Sequence, residues 1–233
     1  MDSQVCMKIS VIVPAYNEAA TLEGCLAAIY DRNPGLDLEV IVVDDGSTDN
    51  TPEVLRRFRR PGLLAIRHQA NRGKGAAIRT GLAVAGGEVV LIQDADLEYD
   101  PADYRRLLEP FRSGQAQVVY GSRILNPDNP MSYRRYYWGG RLLSLWTNLL
   151  FGSRVTDEPT CYKAFRTELL RSLELRCEGF EFCPEATAKV LRRGIPITEV
   201  PIRYHPRSIA KGKKIRWHDG LKALWTLLKL RFW

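Results

Sequence analysis

Residues 89–98 read VVLIQDADLE, a short apolar run that ends in acidic residues. Side chains two positions apart in an extended segment point the same way, so we expect Asp94 and Asp96 to face one ligand, with Glu98 completing the set. Carboxylate oxygens suit a hard divalent cation, and magnesium usually shares such ligands with substrate phosphates. Open α/β sheets bind ligands where strands end. The stretch predicts a metal site, and the alternative is a solvated strand end followed by a helix cap.

Three further apolar runs precede this stretch, and helix-like segments separate them. The predicted strands cover residues 8–14, 38–45, 63–67 and 88–93. Because the runs are almost continuously apolar, both faces of their sheet must be covered. We therefore predict an α/β fold with a mostly parallel central sheet and helices on both faces. Downstream, the pattern predicts helices at about 101–112, 138–149, 182–193 and 217–228, and strands at 117–120 and 195–204.

Acidic residues follow three of the four predicted strands. Glu18 lies just past the first, and Asp44 and Asp45 end the second. Carboxylates that converge on one sheet edge repel each other unless a cation or ligand donors share the space. Each acid alone could instead cap its own loop, and residues 45–47, DGS, form a common turn. Together with Asp94 and Asp96, they favour a site for base, ribose and metal.

Cationic residues suited to phosphate groups occur in three places. Residues 71–75, NRGKG, open a helix with backbone N–H groups and Lys74, which suits an anion but lacks the spacing of a P-loop. The alternative is a flexible helix entry. Arg123, Arg207 and the basic loop after Pro206 offer further cations, and the alternative for that loop is a solvated face. The loop lysines are Lys211, Lys213 and Lys214.

Composition fits one sizeable domain with a small appendage: 233 residues, 45% hydrophobic and 26% charged. The net charge is +7, but residues 201–233 hold nine lysines and arginines against one aspartate, so the first 200 residues carry a net charge of −1. We expect no secretory signal and no membrane-spanning segment. The five cysteines and three histidines show no metal-ligand spacing, and the cysteines are expected to be reduced packing residues.

The last predicted helix is amphipathic and basic. Tryptophans and leucines recur along one side, and Lys222 and Lys229 lie on the other. Such a helix is expected to bind a membrane surface, because nearby cations attract anionic lipid. Packing on its own domain or on a partner is the alternative, and the helix at 138–149 has the same ambiguity. The sequence shows no recognised nucleic-acid-binding domain, so we expect no nucleic-acid partner.

The motifs in combination resemble a family 2 glycosyltransferase, nearest to the dolichyl- or polyprenyl-phosphate sugar synthases. The resemblance extends over about residues 8–216. Its motifs are VIVPAYNE at 11–18, VDDGSTD at 43–49, NRGKG at 71–75, DAD at 94–96, GSR at 121–123, DEPTCYKAF at 157–165, and EVPI at 199–202 with Pro206 and Arg207. The resemblance implies a glycosyltransferase domain at 1–216, with a nucleotide-binding half at about 8–123 and an acceptor-side half at about 124–216. The basic helix at 217–233 follows.

The resemblance also implies a GT-A type fold and roles for individual residues. Asp94 and Asp96 would bind pyrophosphate and Mg²⁺ or Mn²⁺, with Glu98 as a further metal ligand. Arg123 would join the two aspartates in catalysis. The implied nucleotide-sugar-binding set is Pro14, Tyr16, Glu18, Asp44, Asp45, Lys74, Asp94, Ala95, Arg123, Arg207 and Lys214. Two departures weaken a choice of donor: Glu98 stands where mannose synthases often carry glutamine, and the basic loop is one residue longer, which leaves Lys213 and Lys214 as alternatives.

The predicted function is inverting, metal-dependent transfer of a hexose from GDP-mannose or UDP-glucose to a polyprenyl or dolichyl phosphate. The enzyme is expected at the cytoplasmic face of a membrane as a peripheral protein, with a membrane-anchored partner subunit left open. A sugar hydroxyl is the alternative acceptor and would require a carboxylate base. The candidates for that base are Asp157, Glu181 and Glu185. A non-catalytic nucleotide-sugar- or membrane-binding module is the alternative from another class.

Overall fold

The first half of the chain alternates strands with helices, as the apolar runs predict. The computed structural model describes residues 7–130, 133–207 and 217–233. The strands are β1 (Ile9–Ala15), β2 (Leu38–Asp44), β3 (Leu63–Arg67) and β4 (Val89–Ile92), and the helices are α1 (Leu22–Asp31), α2 (Thr51–Arg57) and α3 (Lys74–Val84). Valine and isoleucine dominate β1, β2 and β4 because branched side chains suit a pleated surface, and these strands are largely buried.

The second half is richer in helices. A 3₁₀ turn (Pro101–Asp103) precedes α4 (Tyr104–Arg112), and then come β5 (Val118–Ser122), α5 (Arg134–Phe151), β6 (Lys163–Arg166), α6 (Thr167–Ser172), α7 (Phe182–Arg192), β7 (Thr198–Pro201) and α8 (Trp217–Phe232). Helix α5 ends at Gly152, whose φ of 66° is left-handed and whose N–H donates to the Asn148 carbonyl at 2.8 Å. The strand predicted at 195–204 is shorter than expected, since β7 covers only 198–201.

The described strands form one sheet of seven in the order β3-β2-β1-β4-β6-β5-β7. The pairs β3–β2, β2–β1, β1–β4 and β5–β7 are parallel, which confirms the predicted sheet. Strand β6 was not predicted, and it runs antiparallel to both β4 and β5. Its sequence, KAFR, has a charged residue at each end and carries no clear strand pattern.

Helices cover both faces of the sheet, as predicted. Val11 of β1 packs in a cluster with α1 and α4, whereas its neighbour Ile12 packs in a second cluster with α3 and α7. A third, smaller cluster joins Leu143 of α5 and Ala188 of α7 to Leu227 of α8. Because β1 pairs in parallel with β2 and β4, the carboxyl ends of these three strands lie at one edge of the sheet.

Candidate active site

The acids that follow β1, β2 and β4 lie at the shared carboxyl edge of these parallel strands. Pro14 and Tyr16 are partly exposed there, and Ala95 is buried between the two aspartates of the DAD motif. The Asp44 carboxylate is buried, accepts from the Ser47 N–H at 2.9 Å, and lies 3.2 Å from the Arg67 guanidinium. Asp44 thus stabilises the turn after β2 through Ser47 and lies at the carboxyl edge of the sheet.

Asp45 is buried and organises the loop before α3. Its carboxylate accepts from the backbone N–H of Arg72 at 2.9 Å and of Gly73 at 2.7 Å. It also contacts His68 Nδ1 at 2.6 Å and accepts from the Asn71 amide at 3.0 Å. The nucleotide-binding role that the resemblance implies for Asp45 would therefore be exerted through the position of this loop.

The start of α3 does not offer its amides to an external anion as expected. Those of Arg72 and Gly73 are taken by Asp45, and those of Gly75 and Ala76 donate to carbonyls of residues 178–179 at 3.0–3.2 Å. A side chain at Gly75 would collide with the Cys177 carbonyl, so the close approach requires glycine. In the NRGKG motif, the group that points into the site is the Lys74 ammonium.

Lys74 joins the DAD motif to the second half of the chain. Its ammonium donates to Asp94 Oδ1 at 2.5 Å and to Cys161 Sγ at 3.1 Å. Burial opposes both charges, but the ion pair prevails, so the pKa of Asp94 is lowered and that of Lys74 is raised. Asp94 is therefore ionised at neutral pH.

Asp96 is in the opposite electrostatic situation. Burial, followed by the negative charges of Asp94 and Glu98, raises its pKa to about 6, although Arg207 acts against this shift. Arg207 Nη2 lies 3.3 Å from Asp96 and 2.9 Å from Glu18 Oε1, so its guanidinium bridges the acids that follow β4 and β1. Because the negative charges of Asp94 and Glu98 outweigh the single positive charge of Arg207, binding of a metal cation next to Asp96 would be favourable.

Glu98 faces the segment after β7. Its carboxylate accepts from the Tyr204 hydroxyl and from the Arg207 backbone N–H, both at 2.9 Å. The described ranges contain no cluster of three or more acidic, histidine or cysteine side chains that could hold a metal ion. Asp96, with Asp94, fits a divalent ion whose remaining ligands come from substrate phosphates, which is the usual magnesium arrangement.

Arg123 follows β5 and forms a bidentate pair with Asp157. Its Nε and Nη2 donate to the two carboxylate oxygens at 2.8 and 2.7 Å, and its backbone N–H donates at 2.9 Å. Although burial favours the neutral acid, Arg123 holds the pKa of Asp157 below its ordinary value. The guanidinium also lies 5.1 Å from the centre of the Tyr204 ring. Arg123 is thereby fixed in one orientation.

A cavity of about 1030 Å³ opens beside these residues. Lys74, Arg123 and Cys161 contribute to its inner wall, and apolar side chains of α5 and α8, including Leu142 and Leu221, line its outer part. This volume is at the upper end for small-molecule sites. It can hold a ligand that has an anionic head and an apolar chain.

Large apolar side chains of α5, α8 and the residue after α8 are exposed, and Leu142, Trp217 and Leu221 among them also line the cavity. The exposed side chains are Trp138, Leu142, Leu145, Leu149, Trp217, Leu221, Trp225, Phe232 and Trp233. Helix α8 also packs on α5, with Ala223 and Leu227 buried and the Trp146 indole donating to the Leu224 carbonyl at 3.3 Å. Helix α8 therefore packs on its own domain, which was one of the two alternatives, and it leaves large apolar side chains exposed. Within the described ranges, none of the helices has the length and apolarity required for a membrane span.

Two parts of the site were not predicted, and one prediction falls outside the described residues. Tyr204 and the Cys161–Cys183 region lie against the predicted cations, but single residues of these types carry no signal in the sequence. Lys211, Lys213 and Lys214 lie outside the described ranges. The sequence did predict that Glu18, Asp96 and Arg207 share one site, and the structure brings them together.

Comparison with known proteins identifies the family of this chain. Residues 10–173 match the profile of Glycosyl transferase family 2. The chain belongs to this family. It is therefore a glycosyltransferase, as predicted, and the alternative of a non-catalytic binding module is set aside.

Three named relatives are similar to this chain, and two of them are aligned over almost their full length. UDP-N-acetylglucosamine–dolichyl-phosphate N-acetylglucosaminyltransferase of Methanococcus voltae is 31% identical, with 96% of each chain covered. Undecaprenyl-phosphate mannosyltransferase of Micrococcus luteus is 30% identical over 97% of this chain and 99% of the relative. Dolichol-phosphate mannosyltransferase of Pyrococcus furiosus is 30% identical, but this chain covers only 64% of it. The predicted resemblance to the polyprenyl-phosphate branch is confirmed.

Solved structures confirm the GT-A type fold. Glucosyl-3-phosphoglycerate synthase of Mycobacterium tuberculosis with UDP superposes with a TM-score of 0.75 at 24% identity, covering 97% of this chain and 80% of that one. The same synthase with Mg²⁺ and UDP gives a TM-score of 0.70 at 25% identity, covering 96% and 79%. A further structure holds Mn²⁺, UDP and phosphoglyceric acid. Divalent ions and nucleotide thus occur together on this fold.

Proposed function

We propose that this glycosyltransferase moves a sugar from a nucleoside diphosphate donor to a polyprenyl or dolichyl phosphate at a membrane surface, with inversion at the anomeric carbon. The observation that carries the proposal is the position of Lys74. Its ammonium contacts Asp94 of the DAD motif and also lines the cavity that holds Arg123. The carboxylates expected to bind the sugar donor therefore lie next to a large, partly apolar cavity, and Lys74 contacts both.

The donor would bind at the carboxyl edge of β1, β2 and β4, within a nucleotide-binding half at about residues 8–123. Asp96 and Asp94 would hold Mg²⁺ or Mn²⁺, which neutralises charge on the departing diphosphate. Pro14, Tyr16, Glu18 and the loop held by Asp45 would surround the nucleotide. Lys74 supplies a fixed positive charge where negative charge develops, which is electrostatic catalysis by a preorganised group.

The acceptor would bind in the cavity, within a half at about residues 124–216. Arg123 is oriented by Asp157 and lines the cavity, where its guanidinium would contact a phosphate. The apolar walls from α5 and α8 suit the first isoprene units of the chain. The exposed tryptophans of both helices, with Lys222 and Lys229, suit an anionic membrane surface, which would make the enzyme a peripheral protein.

The electrostatics of the cavity favour a phosphate acceptor over a hydroxyl acceptor. A phosphate is anionic at neutral pH and needs no general base, whereas a hydroxyl does. Asp157 is paired with Arg123 and its pKa is lowered, and Glu185 is held by Lys189 and two backbone N–H groups, which lower its pKa as well. Both are poor bases. The third candidate base, Glu181, forms an ion pair with Lys222, with 3.8 Å between Lys222 Nζ and Glu181 Oε1.

One carboxyl group supports the hydroxyl acceptor as a second candidate. Glu158 lines the cavity, and burial raises its pKa. Its Oε1 accepts from the Thr187 hydroxyl at 3.1 Å, and its Oε2 has no hydrogen-bond partner among the described residues. A carboxyl group of this kind could remove a proton from a sugar hydroxyl.

The decisive experiment combines donors, acceptors and two variants. The protein is incubated with Mg²⁺ or Mn²⁺, a polyprenyl phosphate in anionic vesicles or a soluble glycoside, and GDP-mannose, UDP-glucose or UDP-N-acetylglucosamine. We expect transfer to the lipid phosphate with one preferred donor, a loss of about a hundredfold in Arg123→Gln, and near-normal activity in Glu158→Gln. Arg112→Gln, an exposed arginine on α4, is the matched control.

The same assay separates the competing acceptors and tests the membrane surface. Transfer to the glycoside alone, with activity lost in Glu158→Gln, would replace the lipid acceptor by a hydroxyl. Release of no nucleotide with any pair would refute the proposed donors. Vesicle flotation of the Trp225→Glu variant should show weaker binding to anionic lipid than the wild type, and unchanged binding would contradict the membrane role of α8.

A further inference from the structure

The residue before the DAD motif is a buried glutamine. Gln93 follows β4 directly and is 0% exposed. Its side-chain oxygen Oε1 accepts from the Tyr162 hydroxyl at 2.6 Å and from the Tyr104 hydroxyl at 2.9 Å, and its Nε2 donates to the Asp94 backbone carbonyl at 2.9 Å. The reverse orientation of the amide would set Oε1 against that carbonyl, and two acceptors cannot bond to each other. The contacts therefore fix which end of the amide faces Asp94.

Two buried tyrosines hold this glutamine in place. Tyr104 is the first residue of α4, Tyr162 directly precedes β6, and both are 0% exposed. Their rings lie edge-on to each other with 6.0 Å between the centroids, and Tyr99 lies against Tyr162 with a centroid distance of 4.7 Å. A hydroxyl buried away from solvent cannot exchange a lost partner for bulk water. Both tyrosines therefore favour the one position of Gln93 that satisfies their hydroxyl groups.

Asp94 is held at two separate groups. Its carboxylate accepts from the Lys74 ammonium at 2.5 Å, and its backbone carbonyl accepts from the Gln93 amide. The Cys25 thiol also lies 3.5 Å from this carbonyl, but a thiol is a weak donor. The Gln93 amide therefore determines the direction in which the chain leaves β4 toward Asp96.

The turn after Asp94 needs such an anchor because it contains a strained residue. Leu97 has a φ of 62°, in the left-handed region that bulky side chains rarely adopt, and it is 41% exposed. A conformation of this kind persists only where the surrounding contacts hold it, and such residues cluster at functional sites. Glu98 holds the end of the turn through the Tyr204 hydroxyl at 2.9 Å, and Gln93 holds its start. The two contacts together keep the carboxylates of the turn in one arrangement.

We propose that Gln93 is a positioning residue for the metal ion of the donor. Held by Tyr104 and Tyr162, it fixes the Asp94 carbonyl and thereby sets where Asp94 and Asp96 present their carboxylate oxygens. This inference rests on the proposed function for the identity of the ligand, a divalent cation bound together with a nucleoside diphosphate. Loss of a group that orients metal ligands typically lowers metal affinity by about 10- to 100-fold, so we expect a loss of at least about tenfold when the network is removed.

A variant that removes the network without leaving buried polar groups unpaired separates positioning from stability. In the triple variant Gln93→Met, Tyr104→Phe and Tyr162→Phe, every member of the network becomes apolar, which is close to neutral for stability. We expect a Tm close to that of the wild type and, by calorimetry, an affinity for Mn²⁺ with GDP or UDP, whichever the wild type binds, that is weaker by at least about tenfold. Tyr120→Phe is the matched control, because Tyr120 is 0% exposed and its hydroxyl lies 3.0 Å from Thr187 Oγ1, outside this network. Its affinity should equal that of the wild type.

The outcomes of the calorimetry decide the proposal in each case. Wild-type affinity in the triple variant, or an equal loss of affinity in Tyr120→Phe, would overturn it. Were the triple variant unable to fold, Tyr162→Phe alone would decide, because it removes one hydroxyl and keeps the ring. Weaker affinity in Tyr162→Phe would then support the anchor, and unchanged affinity would refute it.

Hydrogen exchange of the ligand-free protein tests the anchor without reference to the metal. The Glu98 N–H donates to Asp96 Oδ1 at 3.0 Å across the turn, so its exchange rate measures whether the turn keeps its arrangement. We expect exchange to be at least about tenfold faster in the triple variant and unchanged in Tyr120→Phe, and equal rates in all three proteins would contradict the anchor. If the wild type bound neither GDP nor UDP with Mn²⁺, the proposed donor site would fail, and exchange would still decide whether Gln93 holds the turn.

Discussion

The Asp96→Asn variant should be more stable than the wild type in the absence of ligands. Asp96 is partly buried beside Asp94 and Glu98, and its pKa is raised to about 6 from 3.8. Asparagine keeps an oxygen to accept from the Glu98 N–H, which now donates to Asp96 at 3.0 Å. It removes the negative charge that the surroundings disfavour.

The magnitude follows from the shift. Each pKa unit corresponds to about 1.4 kcal/mol, so roughly two units set an upper limit of about 3 kcal/mol. This net shift already contains the attraction to Arg207, and the partial exposure of Asp96 to solvent reduces the expected effect to about 1–3 kcal/mol. Because the folded pKa is raised, the penalty is absent below about pH 4, develops as the pH rises to about 6, and is complete above it. The gain from asparagine should grow over the same window.

Thermal unfolding at pH 4, 5, 6 and 7.5 measures this difference. A domain of this size changes its Tm by about 2–4 °C per kcal/mol, so the variant should gain about 3–10 °C at pH 7.5 and almost nothing at pH 4. Added Mn²⁺ and UDP should raise the Tm of the wild type but not of the variant. A gain independent of pH, or a loss of stability at pH 7.5, would refute the reasoning.

Asp100 provides a matched control with the opposite sign. Asp100 is buried, but the Ala102 N–H donates to it at 2.9 Å and Arg203 lies 3.2 Å away, so its pKa is lowered despite desolvation. A lowered pKa contributes stability above the unfolded pKa and loses it as the pH falls through the folded value. Asp100→Asn should therefore be less stable than the wild type at pH 7.5.

Two other substitutions test contacts that support the site. Arg123→Gln leaves Asp157 buried without its cation and should cost about 3 kcal/mol, read as a Tm lower by about 6–12 °C; the double variant with Asp157→Asn should recover part of this, and an unchanged Tm would contradict the pairing. Asp45→Asn replaces an acceptor of two backbone N–H groups and should speed hydrogen exchange at Arg72 and Gly73 by about tenfold or more, whereas unchanged exchange would contradict the anchoring role.

The strands and acids of the first half could be predicted because their signals are local. Continuous valine and isoleucine indicate a buried strand, and the spacing of Asp94 and Asp96 indicates a common direction. Strand β6 could not be predicted in this way. Lys163 is fully buried in it, because its ammonium donates to the Glu158 carbonyl at 2.7 Å and lies 3.5 Å from the centre of the Tyr120 ring. These partners come from other parts of the fold.

The pairing of charges in the site depends on contacts between distant residues. Arg207 and Glu18 are 189 positions apart, and Lys74 and Cys161 are 87 apart. The sequence indicated the kind of charge at each position but contained no spacing that would assign partners. The role of Asp45 likewise depends on the path of the chain after β3, which brings residues 71–73 back to the end of β2.

The cationic side chains among the last 33 residues lie in several different parts of the fold. Arg203 pairs with Asp103 at 3.0 Å and fastens the chain after β7 to the turn before α4. Arg207 enters the acidic edge and contacts Glu18. Lys229, by contrast, is exposed on α8. One terminal segment therefore supplies cations both to the carboxylates expected to bind the donor and to the surface expected to meet lipid. Both proposed substrates are anionic, so cations at these two places would offset the charge of a diphosphate and of an acceptor phosphate held beside one cluster of acids.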